Sequence, residues 1–269
     1  MQITVSLLPS SVPPPPSEAA IAVVVDVLRA TTVMAVAVEA GATQVVTFAE
    51  VPAARAYAAG APLHLQSRRP MLAGERHCRR LPGFDLGNSP AEYTADAVGA
   101  RTLVLTTTNG TQALVAALPY PTVLTAAFVN LEAVLRRLAQ ETVAQETVVQ
   151  VICAGTEGAI TGEDALCAGA VVANCQQRWQ ARPANDEAAL VADAWRHHFP
   201  VPDQIPSVQL TGLLAASQGG RNLRDRGFGD DIARCAAVNQ IAALPQRIGR
   251  DPIRIAAAIE APGGVPPPR

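Results

Sequence analysis

Residues 20–25 read AIAVVV and run straight into Asp26. This unbroken apolar run constrains the fold more than any other feature of the chain. Valine and isoleucine are stiff at χ1 and fit a pleated strand. A strand without polar alternation is one covered on both faces, as in a parallel sheet held between helices. The residues after it, Thr31–Ala40, are apolar nearly all round and stop at Gly41, which suits a helix C-cap. Gln44–Phe48 then reads as a strand, and Val51–Ala59 as a helix ending at Gly60. Strand, helix, strand, helix is the pattern of a parallel sheet with right-handed crossovers.

The rhythm breaks at Ser67–Pro90, where five arginines, three glycines and three prolines show no helical or strand period. A structureless segment of that length inside a folded unit is usually functional. The rhythm then returns. Thr102–Thr106, Thr122–Ala126 and Thr147–Cys153 read as strands; Gln112–Leu118, Leu131–Gln140 and Asp164–Arg178 read as helices. The last third reads as mainly helical at Glu187–Phe199, Val208–Ser217 and Asp231–Ala236, with a weak strand near Ile253–Ile259. Pro13–Pro16 is an extended connection, and residues 262–269 are expected to fray. The 269 residues are read as one unit over 1–269, with 140–180 as the place for any subdivision.

Composition excludes several functions. The formal net charge of −2 gives no electrostatic case for nucleic acid or an anionic membrane. All 21 basic residues are arginine, so there is no Schiff-base lysine and no lysine-bearing phosphate loop. The five cysteines have no framework or zinc spacing and read as reduced thiols. The N-terminus lacks a basic region before its apolar run, and no apolar run reaches the roughly 18 residues of a membrane span. The expectation is a cytoplasmic protein, with a homodimer as the base-rate assembly.

Three strands lead into polar loops, at VVVDVLRATT, LVLTTTNGT and VQVICAGTEG. Ligands of open α/β sheets bind beyond the carboxyl ends of strands, where the following helices aim their N-termini. Thr106–Thr111 (TTTNGT) offers Thr107, Thr108 and Thr111 hydroxyls, and Asn109-Gly110 can turn successive amides inward as a nest. The same residues also suit a plain helix cap. Asp26 ends its strand as a metal ligand, a base or a cap, and Arg29 could clamp a phosphoryl group. Those two residues equally suit a salt bridge at a strand end. Glu75, Arg76, Asp85, Asn88 and Ser89 sit between glycines and prolines, a composition suited to a metal-assisted anion site or to a solvated basic loop. Glu163 and Asp164 open a helix, where carboxylates are favoured in any case. An aspartyl-nucleophile motif is absent because Leu28 stands two residues after Asp26. No cysteine has an arginine six residues on, and no GxSxG elbow is present.

VVVDVLRATT, AGER, PGFDLGNSP, TTTNGT, the CAG run before a glutamate, and Glu163–Gly169 occur in an order that resembles the 2-phosphosulfolactate phosphatase (ComB) family. The resemblance spans about residues 20–170, with a looser match at GDDI, Gly229–Ile232. It implies a three-layer α/β/α fold with a largely parallel or mixed central sheet. It also implies Mg²⁺-dependent hydrolysis of (R)-2-phospho-3-sulfolactate, a step toward coenzyme M. Asp26 is then the first metal ligand, with Glu75 and Asp164 as further carboxylates. Asp26, Arg29 and Glu75 are the catalytic candidates. Thr107, Thr108, Asn109, Gly110 and Thr111 would hold phosphate, and Arg76, Asn88 and Ser89 the other acid groups. The alternatives are a phosphatase of another small phosphorylated organic acid, and a non-catalytic module that binds a phosphorylated ligand.

Overall fold

The structure is a computed structural model that describes residues 1–60, 69–141, 147–201 and 204–258. In chain order, β1 is Gln2–Ser6, β2 Ile21–Val25, α1 Ala30–Glu39, β3 Gln44–Thr47 and α2 Val51–Ala59. Next come β4 at Met71–Arg76, β5 at Arg79–Arg80, α3 at Ala95–Val98, β6 at Thr102–Thr106 and α4 at Gly110–Ala116. Then follow β7 at Thr122–Ala126, α5 at Leu131–Glu141, β8 at Val148–Cys153, α6 at Gly162–Trp179, β9 at Arg182–Pro183 and α7 at Asp186–His198. The chain continues with α8 at Ser207–Ala216, α9 at Gln218–Asp225, α10 at Gly229–Cys235, β10 at Pro245–Arg250 and β11 at Ile253–Ala257.

The valine run is a strand covered on both faces. Ile21, Val23 and Val25 join one core with Val149, Val151 and the helix residues Val171 and Trp195. Ala22 and Val24 point the other way, into a core with Val33, Leu105 and Leu114. All five residues of β2 are buried. Trp195 is the largest fully buried side chain and lies 4.4 Å from Phe199 and 5.8 Å from Phe128, ring centre to ring centre.

One mixed, mostly parallel sheet has the order β5-β4-β6-β3-β11-β10-β7-β2-β8-β1-β9, with helices around it in a three-layer α/β/α arrangement. β4, β6 and β3 are mutually parallel, as are β7, β2, β8 and β1. The β10–β11 hairpin joins the two parallel halves and pairs antiparallel with both β7 and β3. The sheet is strongly curled. At roughly 4.8 Å per strand, β2 and β6 would stand about 24 Å apart in a flat sheet, yet Gly110, four residues beyond β6, abuts Asp26 at the end of β2. Helix α1 lies in the concave face against β3, β7, β10 and β11. That setting explains why α1 is apolar on every side.

Two expectations need correction. The Ser67–Pro90 segment is not structureless: Met71–Arg76 forms β4, parallel to β6. Its Ala-Gly centre gives little strand propensity, and pairing decides it. Gly74, at φ +155°, lets the backbone pass close to Thr106. Ser67 and Arg68 lie outside the described residues, as does the 262–269 tail. The last third carries the helices expected at Glu187–Phe199, Val208–Ser217 and Asp231–Ala236, and adds a strand, β10, hidden behind Arg247 and Gly249. The Arg247 guanidinium donates to the carbonyls of Leu118 (3.1 Å), Tyr120 (2.6 Å) and Pro121 (2.8 Å), which lets an arginine stand in the middle of the sheet. Helix α9 carries two glycines, which lower helix propensity and leave it without a helical signal in the sequence. Ser217 caps it, accepting the Gly220 amide at 3.1 Å.

Candidate active site

The curl brings the carboxyl ends of β2, β4, β6 and β8 around one cavity, and α9 with the turn after it closes the side. Asp26, Arg29, Glu75, Asn88, Thr107, Thr108 and Asn109 line it. Arg76, Ser89, Gly110, Thr111 and Asp164 do not line it.

Asp26 is only 7 % exposed. Its Oδ1 accepts the Ala30 amide at 3.1 Å, so it caps α1. Thr31 Oγ1 accepts the Asp26 amide at 3.0 Å, which fixes the backbone. Among the described residues Oδ2 has no hydrogen-bond partner, and it lies beside Gly110. Asp26 thus serves as cap and as wall of the cavity at once. Burial, joined by the nearby Glu163 and Glu75 carboxylates, pushes its carboxyl up to about 7, against the Ala30 amide and Arg29.

Asp26 and Arg29 do not form the salt bridge that their spacing allowed. Arg29 Nη1 instead donates to Asp231 Oδ2 at 2.6 Å, and the guanidinium lies 4.7 Å over the Phe228 ring. Ser89 Oγ donates to Asp231 Oδ1 at 2.7 Å, so Ser89 acts behind the cavity. Glu75 Oε2 accepts the Cys78 amide at 2.7 Å, and its Oε1 accepts the Thr108 amide and hydroxyl at 3.4 and 3.3 Å. Asn88 is 6 % exposed, and its buried Oδ1 has no partner among the described residues.

The other predicted residues take different places. Arg76 donates to Ala49 O at 2.9 Å, Thr106 Oγ1 at 3.1 Å and Glu75 O at 2.7 Å, which turns its guanidinium from the cavity. Asp164 spends both oxygens on amides, Oδ1 on Val27 at 2.9 Å and Oδ2 on Gly155 at 3.0 Å. It ties the loops after β2 and β8 together. Asn109 has φ −107° and ψ −47°, so TTTNGT opens α4 in right-handed geometry and makes no left-handed nest. Asn109 Oδ1 accepts the Glu157 amide at 3.2 Å. Thr111 is buried behind Thr107, hydroxyl to hydroxyl at 3.5 Å.

Gly110 is fixed by space. A Cβ there would stand 2.6 Å from Ala30 Cβ and 2.8 Å from Asp26 Oδ2. Gly110→Ala is therefore expected to cost about 1–3 kcal/mol, the range for overpacking a tight contact. Thermal melts check this against Gly212→Ala in α8, where a Cβ meets nothing within 4 Å and Tm should hold or rise. A Gly110→Ala Tm equal to wild type would show that the contact relaxes freely.

Sequence reasoning missed Asp231, Phe228, Arg226, His77 and Cys78. GDDI stands in the sequence only as a motif, and nothing local connects it to Arg29, 202 residues away. His77 and Cys78 form the tip between β4 and β5, with φ of 53° and 63°, a two-residue hairpin turn. Burial pushes the Cys78 thiol up, although Arg29 pulls the other way, so it is no ready thiolate.

The cavity combines fixed donors with hard carboxylate oxygens, which suits an anion bound together with a hard cation. A family model described as 2-phosphosulpholactate phosphatase matches residues 7–248. A probable 2-phosphosulfolactate phosphatase of Parasynechococcus marenigrum is 39 % identical over 246 residues, covering 91 % of this chain and 96 % of that protein. One so named from Gloeobacter violaceus is 39 % identical over 251 residues, 92 % of this chain and 95 % of its own. Another, from Symbiobacterium thermophilum, is 36 % identical over 234 residues, 86 % and 94 % of the two chains.

Proposed function

The chain belongs to the 2-phosphosulpholactate phosphatase family, and from that premise we propose that it hydrolyses (R)-2-phospho-3-sulfolactate to 3-sulfolactate and inorganic phosphate, with Mg²⁺ as cofactor. The observation that carries the reading is the meeting of Arg29, Asn88 and Thr107 with the unpartnered Oδ2 of Asp26 in one cavity. Those groups match a phosphoryl dianion and the cation that accompanies it.

The residues fit Mg²⁺ in a particular way. Among the described residues no group of three or more His, Cys, Asp or Glu is placed to hold a metal ion, so an all-protein cage is not the fit. Mg²⁺ is commonly held by one or two carboxylates together with substrate phosphates and water. Asp26 through Oδ2 would hold the ion, with Glu75, which lines the cavity and whose Oε1 has only long contacts to Thr108 at 3.3 and 3.4 Å, beside it; Asp164, off the cavity with both oxygens closely engaged, would not. When bound, the ion would supply neutralisation of phosphoryl charge. Its charge would also offset the burial, and then the neighbouring Glu163 and Glu75 carboxylates, that raise the Asp26 carboxyl.

The chain's own residues do the rest. Arg29, held by Asp231 and Phe228, offers a pre-positioned guanidinium to equatorial phosphoryl oxygens. The Thr107 hydroxyl and the Asn88 amide, which line the same cavity, add donors, with Thr108 beside them. Hydrolysis joins a water oxygen to phosphorus and returns a proton to the sulfolactate oxygen as the O–P bond breaks. Water is the favoured nucleophile because Cys78, the thiol on the wall, is held in its neutral form.

The test is phosphate release from 2-phospho-3-sulfolactate, 2-phosphoglycolate and 2-phospholactate, each with Mg²⁺ and with chelator. Release is expected to be fastest from phosphosulfolactate and to need Mg²⁺. Tight binding of these esters with no release from any of them would overturn the enzymatic reading. Equal release with chelator would overturn the cofactor.

A further inference from the structure

We propose that Arg226 and His77, both exposed on the lining of the cavity, form a second anion subsite that reads the acid group of the substrate remote from phosphorus. The inference rests on the phosphatase reading above and gives the site its selectivity for phosphate esters carrying a further anion.

Two cations of different standing line the cavity. Arg29 is 3 % exposed and already paired with Asp231. Arg226 is exposed, and among the described residues it pairs with no carboxylate; its one hydrogen bond goes to Asn222 O at 3.3 Å. Arg29 Nη2 donates to Cys78 O at 3.4 Å, and both guanidinia pull on the Cys78 thiol, so both stand near the hairpin tip. His77 is exposed at that tip and lines the same cavity.

The backbone links the two cations. Arg226 lies at the end of α9, and Gly227, at φ +82°, turns the chain so that Phe228 reaches under Arg29. Asp231, three residues further, holds Arg29 from α10. One short segment therefore sets a buried guanidinium at the phosphoryl end and a free one at the mouth. Arg76, expected to take this role, is fully engaged elsewhere. Glu157, also on the wall, makes the mouth repel a misplaced anion, so the attraction is confined to the Arg226 side. A planar guanidinium suits the oxygens of a sulfonate or a carboxylate.

Binding separates this inference from turnover. Calorimetric titration of wild type and Arg226→Ala with 3-sulfolactate, and separately with inorganic phosphate, reads the two ends of the site independently. Arg226→Ala is expected to weaken 3-sulfolactate at least tenfold and phosphate less than twofold. Arg226→Lys should recover part of the sulfolactate affinity, because charge remains while the fork is lost. Unchanged sulfolactate binding, equal weakening of both ligands, or a wild type that binds phosphate but no sulfolactate would each overturn the subsite. Failure of the hydrolysis reading appears elsewhere, in the phosphate-release assay, since neither titration requires turnover.

Discussion

Asp26→Asn is expected to fold, to melt at or above the wild-type temperature, and to lose at least about 10²-fold in kcat, the scale of removing one charge-stabilising group. The substitution keeps shape and keeps an oxygen for the Ala30 amide, so the start of α1 should be preserved. What it removes is the charge on Oδ2, the atom left without a protein partner. The stability sign follows from the carboxyl lying at about 7 rather than at 3.8. A carboxyl raised in the folded state loses folding stability as pH climbs from the unfolded value toward the folded one. At neutral pH the aspartate therefore burdens the fold, and neutral asparagine lifts that burden. Phosphate release with Mg²⁺ and a thermal melt measure both arms. Near-normal Mg²⁺-dependent turnover in the folded variant would remove Asp26 from the mechanism.

Asp231→Ala should show the opposite pairing, with stability and activity falling together. Arg29 and Asp231 are both almost fully buried and meet at 2.6 Å. Removing one partner of such a pair costs about 3–5 kcal/mol, because the other charge stays buried without compensation. For a chain of this size that is a fall in Tm on the order of 10 °C. Ser89 would also lose its acceptor. The double variant Arg29→Met with Asp231→Leu separates the two effects. With both charges gone the desolvation penalty disappears, and stability should return to within about 2 kcal/mol of wild type. Activity should stay lost, because the guanidinium is absent. A double variant that regained turnover would mean Arg29 only holds the structure. Denaturant melts and phosphate release decide this.

Much of the local structure was legible. β2, β6, β7 and α2 follow from unbroken apolar runs, β-branched content and glycine stops, all signals that act within a few residues. The cavity walls after β2 and β6 were legible for the same reason, since polar loops at strand carboxyl ends face a common crevice. β4 was not legible, because Ala73-Gly74 has no strand preference of its own and takes its form from β6. β10 was not legible either, because its buried arginine is satisfied by carbonyls between α4 and β7, far off in the chain. The Arg76 expectation failed on a rotation at the end of β4. Adjacent strand residues face opposite ways, so with Glu75 on the cavity its neighbour had to turn aside.

By itself the sequence determined that a doubly covered valine strand would deliver Asp26 to the carboxyl edge of a sheet, followed at once by a buried helix. Apolar periodicity is a local property and can be read locally. Only the tertiary structure decided that the sheet curls, that Gly110 closes on Asp26, and that Arg29 takes Asp231 as its partner. Those outcomes depend on which strands become neighbours, and a C-terminal hairpin inserted between the two parallel halves sets that order. A contact between residues 29 and 231 has no trace in either local sequence, because it exists only once the sheet has brought both ends of the chain to the same crevice.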